Sequence, residues 1–313
     1  MHATEADAGQ RLDNYLLRIL KGVPKTRIYR ALRKGEVRID GKRVRPEHRL
    51  EAGQEIRIPP ITVSVREETP MPSDSLRDLL RDRVLFEDDH LLIVDKPSGL
   101  AVHGGSGLKL GLIEAMRRLR PEELRLELVH RLDRATSGCL VLAKRPAALK
   151  GMHQQLRDGR IRKTYLALIR GRMPQARMDV DAALERRTTR TGKRQVEVDE
   201  EEGKDSRSSF KELQTFGQLA TLAEVDIETG RTHQIRVHAQ HIGHEVAGDL
   251  RYGDLRFNRE LRRFGLRRLF LHARSLAFTH PASGEAMRVD APLDAELRGV
   301  INALEGGPAE GPR

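Results

Sequence analysis

Apolar residues recur at Leu12, Tyr15, Leu16, Ile19 and Leu20, and this i, i+3, i+4, i+7, i+8 spacing predicts an amphipathic helix that Gly22 and Pro24 bring to an end. A second short helix is predicted from about Lys25, with Ile28, Ala31 and Leu32 on its apolar face and Gly35 as its stop. Its other face carries Lys25, Arg27, Arg30, Arg33 and Lys34. The run VRIDGKRV then alternates around Asp40-Gly41, the dipeptide of a type I′ hairpin. That pattern points Val37, Ile39 and Val44 inward and leaves Arg38, Lys42, Arg43 and Arg45 outside. Two helices and a small sheet thus predict a minidomain over residues 10–60, preceded by a loose start.

The pattern changes twice more. Residues 61–82, polar and punctuated by prolines, read as a linker. From Val84 onward, HLLIVDKP, SGCLVLAK, KTYLALIRG and LATLAEVDIETG are strand-like runs separated by helical or turn segments, which predicts a larger domain over residues 83–304. The stretch 185–207 offers only Val196 and Val198 as large apolar residues, so an exposed hairpin or loop outside the core is expected there. THQIRVHAQHIG has helical spacing with Thr232 as its N-cap, and LFLHARSLAFTHP reads as a late strand pair. Residues 305–313, EGGPAEGPR, are expected to be a disordered tail.

Length and charge sharpen this picture. A chain of 313 residues, 38% hydrophobic, is long enough for two cores. No apolar run approaches the ~18 residues of a membrane span, and MHATEADAGQ lacks the apolar centre of a secretory signal, so a cytoplasmic location with no membrane partner is expected. Cys139 is the only cysteine, which excludes an intramolecular disulfide and a multi-thiolate metal centre. The net charge is +11, and residues 10–60 hold eight of those charges, with 14 Lys/Arg against six Asp/Glu. So local an excess points to a polyanion at the minidomain, nucleic acid foremost; a merely solvated basic surface is the plainer alternative.

Several chemistries fit poorly. HGGSGLKLG lacks the Lys-Ser/Thr of a P-loop and the spacing of a dinucleotide turn, and its GxSxG is broken. His233, His238, His241 and His244 lie close together, but without HExxH or an acidic residue at ligand spacing before Glu245, so no metal site is expected. VHRLDRATSGCLVLAK is more suggestive. Asp133 stands between Arg131 and Arg134 ahead of a buried-type strand. Cationic neighbours would favour the charged carboxylate in a partly dry pocket, as a covalent or acid–base step at a sugar requires. A surface ion-pair turn is the plainer alternative. In ETGRTHQIRVHAQ, Arg236 falls within the first turns of the helix, facing either a cleft or solvent. Tyr165 alternates with Leu166 and Leu168 on a strand, where core or edge packing is the commoner role.

Together these blocks resemble the pseudouridine synthases of the RluA type. The signature HRLDxxTSG stands as His130-Arg131-Leu132-Asp133-Arg134-Ala135-Thr136-Ser137-Gly138, and DKPSGLAVHGGSG, KTYLALIRG, TGRTHQIRVH and RLFLHA are similar to further blocks of that family. The likeness runs from about Ala8 to Ala303, and residues 11–58 are similar to an S4-type RNA-binding domain. The resemblance implies an α+β fold, with a small S4-like αββ RNA-binding domain followed by a pseudouridine synthase catalytic domain built on a mixed, largely antiparallel sheet. It implies isomerisation of uridine to pseudouridine in 23S ribosomal RNA, free or in a pre-ribosomal particle, by a monomer that needs no cofactor and no metal. By position, Asp133 would act at C1′ of the target uridine and Arg236 would pair with Asp133 and keep it ionised. Tyr165 would pack on the uracil where a proton must move, and Arg131 would enter the space left by the extruded nucleotide. Arg231 and His233 would also contact RNA, as would Lys25, Arg27, Arg30, Arg33, Lys34, Arg38, Lys42 and Arg43. Two alternatives remain at this level: an RNA-binding or assembly factor without catalysis, and a metal-dependent hydrolase built on the histidines.

Overall fold

A computed structural model describes the chain apart from residues 21–22, 61–69, 106–109, 124, 189–193 and 307–313. The chain divides into two compact units, Met1–Thr69 and Pro70–Arg313. In the first, α1 (Leu12–Ile19) and α2 (Lys25–Lys34) precede a two-stranded sheet of β1 (Arg38–Ile39) and β2 (Ile56–Arg57). The predicted faces are the buried ones: Leu12 and Leu16 from α1 meet Ile28, Ala31 and Leu32 from α2. Gly35 closes α2 at φ +69°, where a side chain would be strained. Gly22, expected to end α1, lies outside the described residues.

Two expectations for this unit are corrected. Asp40 and Gly41 both have positive φ, and Ile39 and Lys42 exchange backbone hydrogen bonds across them, so the primed turn forms. The run after it does not continue as a strand. β1 instead pairs antiparallel with β2, which sets Ile56 opposite Ile39 in the core, whereas Pro46 lacks the N–H a ladder needs. The N-terminus is not loose either. Ala3 is buried and donates to the Gln54 carbonyl at 2.9 Å, and Ile56 donates to the Met1 carbonyl at 2.7 Å.

The second unit opens with α3 (Asp74–Arg81), capped by Ser73, in the half of the stretch expected to be linker. The capping Ser, the buried Leu80 and the partly buried Leu76 hold it on the main core despite the charges around it. After it come β3 (Val84–Glu87), β4 (Leu91–Lys96), α4 (Leu112–Leu119), β5 (Glu127–Leu128), β6 (Ser137–Ala143) and α5 (Pro146–Arg157). Then follow β7 (Arg162–Arg170), β8 (Arg177–Asp181), β9 (Leu184–Thr188), β10 (Arg194–Val198), β11 (Arg207–Phe216) and β12 (Ala220–Ile227). The chain finishes with α6 (Gln234–His241), α7 (Leu255–Leu261), β13 (Leu271–Thr279), β14 (Ala286–Asp290) and α8 (Ala295–Gly306).

Ten of these strands form one sheet in the order β3-β4-β6-β13-β7-β12-β11-β8, with β14 on β13 and β5 on β6. Every pairing is antiparallel except β6 with β13, so the sheet is mixed and largely antiparallel, as the family resemblance implies. Its middle is covered on both faces. Leu92, Val94, Leu140 and Leu142 pack on one side, and Leu91, Ile93, Cys139 and Val141 on the other, which is why these runs read as continuously apolar. LFLHARSLAFTHP yields one strand rather than a pair, and its hairpin partner is β14. The charged stretch does form a hairpin, β9 with β10, yet Val196 is buried against Val237 and Tyr252. α8 continues to Gly306, two residues into the expected tail, while 307–313 lie outside the described residues. Among the described residues no helix is long and apolar enough to cross a membrane.

The parallel pairing explains the last letter of the signature. Gly138 sits opposite Ala273 at φ +110°, and a Cβ there would lie 2.2 Å from the Ala273 carbonyl oxygen. Gly138→Ala is therefore expected to destabilise the catalytic unit by about 3 kcal/mol or more, through positive φ and a clash with backbone. Urea unfolding of this variant checks it; a wild-type midpoint would show that β6 and β13 do not approach this closely.

Candidate active site

The turn ahead of β6 carries Asp133. It is closed by a hydrogen bond from Thr136 N–H to the Asp133 carbonyl at 3.1 Å and clamped from the segment after β4. Lys96 Nζ donates to the carbonyls of Pro97, Leu100 and Arg134, Ser98 Oγ donates to that of Ala135 at 2.7 Å, and Gly99 N–H donates to that of Arg134 at 2.8 Å. Lys96 is fully buried, and burial pushes its ammonium down to about 7 even with Asp133 nearby. Thus DKPSG and HRLDRATSG are two halves of one support. His130 holds the other end: its Nε2 accepts from Val141 N–H at 3.1 Å, and burial, with help from the Lys163 charge, pushes its imidazole down to about 4.

The other wall is the N-terminal end of α6. Gln234 ties the preceding turn together by accepting from Thr229 Oγ1 and the Arg231 N–H while donating to the Arg207 carbonyl. The N-cap is His233 rather than the expected Thr232, and it takes a left-handed conformation at φ +57°, uncommon for a side chain of this size. The helix then turns Arg236 inward. Its Nε and Nη2 form a bidentate pair with Asp249 at 2.6 and 2.8 Å, and its Nη1 reaches Asp133 Oδ2 at 3.2 Å. Asp133 is 18% and Arg236 10% exposed, so this is a partly buried triad of two carboxylates on one guanidinium. Burial would raise the Asp249 carboxyl, but the hydrogen bonds and charge of Arg236 outweigh it and hold it below the usual carboxylate range.

Arg236 thus faces the cleft and not solvent, and Asp133 is not a surface ion-pair turn. Arg236 pairs with Asp133 as the family resemblance implies, whereas the support read from the flanking arginines is corrected. Among the described residues neither Arg131 nor Arg134 pairs with Asp133; Arg134 donates to the Gly99 carbonyl, and the cation on Asp133 comes from α6. Arg131, Asp133, Tyr165, Arg231, His233 and Arg236 all line one pocket, so the sequence-predicted residues of this unit converge. Tyr165 is buried on β7 and forms a wall there, and burial raises its phenol above its ordinary range.

Two residues of this constellation have no counterpart among the sequence candidates. Asp249 is one; Tyr252 is the other. The Tyr252 ring lies beneath the Arg236 guanidinium at 5.0 Å and edge-on to His233, while its hydroxyl shares a 2.8 Å hydrogen bond with His233 Nδ1 and accepts from Val196 N–H. Of the other clustered histidines, His238 contacts Ser206, Ser208 and the Ala182 carbonyl, His244 contacts the Arg170 carbonyl, and His241 is exposed. Among the described residues no group of three or more His, Cys, Asp or Glu is placed to hold a metal ion.

In the N-terminal unit the predicted cations divide. Lys25, Arg30, Arg33, Lys34 and Lys42 are exposed. Arg27 pairs with Glu36 at 2.9 Å, Arg38 donates to the Gly35 and Gly41 carbonyls, and Arg43 donates to the Arg33 carbonyl. The latter three therefore shape the unit as well as charging it.

Comparison with known proteins adds a family to this geometry. Residues 90–241 match the family described as RNA pseudouridylate synthase, and residues 10–56 match the S4 domain. The chain is 52% identical over 305 residues to ribosomal large subunit pseudouridine synthase C of Escherichia coli, covering 96% of this chain and 95% of that one. It is 50% identical to the protein of that name from Pasteurella multocida over 303 residues, 96% of this chain and 92% of the other. Among solved structures, human RNA pseudouridylate synthase domain containing 1 is 26% identical with a TM-score of 0.56, over 72% of this chain and 95% of that chain. Human RNA pseudouridylate synthase domain containing 4 shares the fold, with a TM-score of 0.61 at 24% identity over 74% of this chain and 96% of that chain.

Proposed function

Because the chain belongs to the RNA pseudouridylate synthase family and carries an S4 domain, we propose that it isomerises uridine to pseudouridine in large-subunit (23S) ribosomal RNA, with Asp133 as the acting carboxylate. The observation that carries the residue assignment is the pairing of Asp133 with Arg236 across 103 residues of sequence, inside the pocket that Tyr165 walls. A target base must leave its stack before its glycosidic bond can be reached. Arg131 is exposed at the pocket mouth and, among the described residues, has no ion-pair or hydrogen-bond partner, so it is free to enter the vacated space. The Asp133 carboxylate then acts at the ribose as the bond from C1′ to N1 breaks. The electron pair leaves with the uracil, which rotates; C5 bonds to C1′, the C5 proton is released to solvent and N1 takes up a proton, so that the product is an isomer of the substrate. Arg236, fixed by Asp249, aims the carboxylate throughout. A phenol raised by burial is a poor base, so packing against the uracil is the role in keeping with Tyr165.

The catalytic set comes from a single chain, which suits action as a monomer in the cytoplasm on 23S RNA, free or in an assembling particle. Purified protein incubated with a 23S transcript tritiated at uracil C5 is expected to release tritium to water; no release under single-turnover conditions would refute the activity.

The N-terminal unit supplies affinity in this reading. Neutralising Arg30, Arg33 and Lys34 together is expected to flatten the dependence of log K on log salt by up to about 2–3, at ~0.7–0.9 for each phosphate left without its cation. Binding isotherms at several salt concentrations measure this. An unchanged slope would mean that α2 does not hold RNA.

A further inference from the structure

Beside the pocket of Asp133 lies a second cleft, of about 500 Å³, that shares Arg131, Tyr165, Ile227, Gly230 and Arg231 with it. Lys163 stands in this cleft. It precedes Tyr165 by two positions on β7, so the two side chains project from the same face of the strand. Lys163 is only 8% exposed, and among the described residues it has neither an ion-pair nor a hydrogen-bond partner. The nearby carboxylates are engaged elsewhere. Asp226 accepts from Arg162 at 2.7 Å and from Thr164 at 2.6 Å, while Glu228 also lines the cleft but is 72% exposed and turned to Arg207. His130, the imidazole facing Lys163, is pushed down to about 4 by burial and by Lys163, so it brings no competing charge near neutral pH. Gly230 forms the far wall, and a Cβ there would be in ordinary contact with Lys163 Nζ at 3.8 Å.

A buried ammonium with nothing to pair with is unfavourable in the free protein, and burial lowers its pKa accordingly. Such a group is retained at a cost that a bound anion would offset. Val129, Leu156 and Ile227 contribute apolar lining to the cleft, and Arg157 adds a further cation to it. Arg131 and Arg231 flank its mouth. We propose that Lys163, with Arg131 and Arg231 at the rim, forms a phosphate subsite that receives the RNA backbone phosphate flanking the extruded uridine. The proposal rests on the reading that the chain modifies a uridine in RNA, and it explains why an unpaired cation is buried one cleft away from Asp133.

Lys163→Met tests it, because methionine fills similar space without the charge. Removing an unpaired buried cation is expected to leave the melting temperature of the free protein equal to or above that of wild type. Binding to a 23S transcript is expected to weaken roughly ten- to hundredfold, with the log K against log salt slope flatter by ~0.7–0.9, the value for one phosphate. A slope equal to that of wild type would overturn the subsite, and so would a lowered melting temperature, which would make Lys163 a structural residue. Pseudouridine formation by the wild-type protein on the same transcript separates the two levels: its absence overturns the underlying activity, whereas its presence with an unchanged variant slope overturns the subsite alone.

Discussion

Asp133→Asn is expected to lower single-turnover pseudouridine formation by more than about 10³-fold while the protein folds and binds RNA. Asparagine keeps the volume of the side chain and an oxygen able to accept from Arg236 Nη1, which donates to Asp133 at 3.2 Å. Arg236 also retains its bidentate pair with Asp249, so no buried cation is stranded. What disappears is the negative charge at the ribose, and with it the means of breaking the glycosidic bond. Quenched single-turnover assays measure this, with melting temperature and RNA affinity as controls. A rate within about tenfold of wild type, ~1.4 kcal/mol of barrier, would remove Asp133 from the chemistry.

Arg236→Ala is expected to do more, because it breaks structure and function together. Asp249 is 1% exposed and takes its counter-charge from Arg236, so truncation leaves a buried carboxylate with only the Arg251 and Tyr252 N–H groups as donors and is expected to cost about 3–5 kcal/mol of stability at neutral pH. Asp133 loses its aim in the same step. Lysine should rescue poorly, since one ammonium cannot serve both oxygens of Asp249 and reach Asp133. The pH dependence has a definite sign. In the wild type, the Asp249 carboxyl lies below its unfolded value. It therefore contributes stability that is full above the unfolded pKa of ~3.9 and is lost as pH falls through the folded value. Without Arg236, burial is opposed only by the Arg251 and Tyr252 N–H groups, so the carboxyl rises from its wild-type position and the variant gives up stability that the wild type holds at neutral pH. The gap between the two proteins should narrow on going from neutral pH to about pH 4. Denaturant unfolding at both pH values reads this, and an Arg236→Ala midpoint equal to wild type at neutral pH would contradict the buried pair.

The sequence made the strands and the blocks legible because both are local. β4 and β6 are covered on two faces and therefore read as unbroken apolar runs, and α2 shows its apolar stripe and its glycine stop within eleven residues. What it hid depends on residues far apart in the chain. The family resemblance pointed to Arg236 as the cation on Asp133, but the local pattern pointed to the adjacent arginines, of which Arg134 is turned back onto Gly99. Asp249 and Tyr252 sit in an irregular segment with no periodicity to mark them, and only packing against α6 gives them meaning. The available signal was local and faint: a Gly-Asp step at Gly248 after the apolar Val246-Ala247, where φ is +74° and a Cβ would meet the Arg268 carbonyl oxygen at 2.0 Å. The hairpin at β1 shows the same limit. Turn chemistry foretold the primed turn, but the partner strand was decided by Ile56, seventeen residues from Ile39 in the chain and opposite it in the sheet.

The central claim, that this chain converts uridines of large-subunit RNA through Asp133, is tested most directly in cells. Pseudouridine positions in 23S RNA would be mapped in a strain lacking the gene and complemented with wild type or Asp133→Asn. The account predicts that specific pseudouridines vanish on deletion, return with the wild-type gene and stay absent with Asp133→Asn. A 23S pseudouridine map unchanged by the deletion, or restored in full by Asp133→Asn, would contradict it.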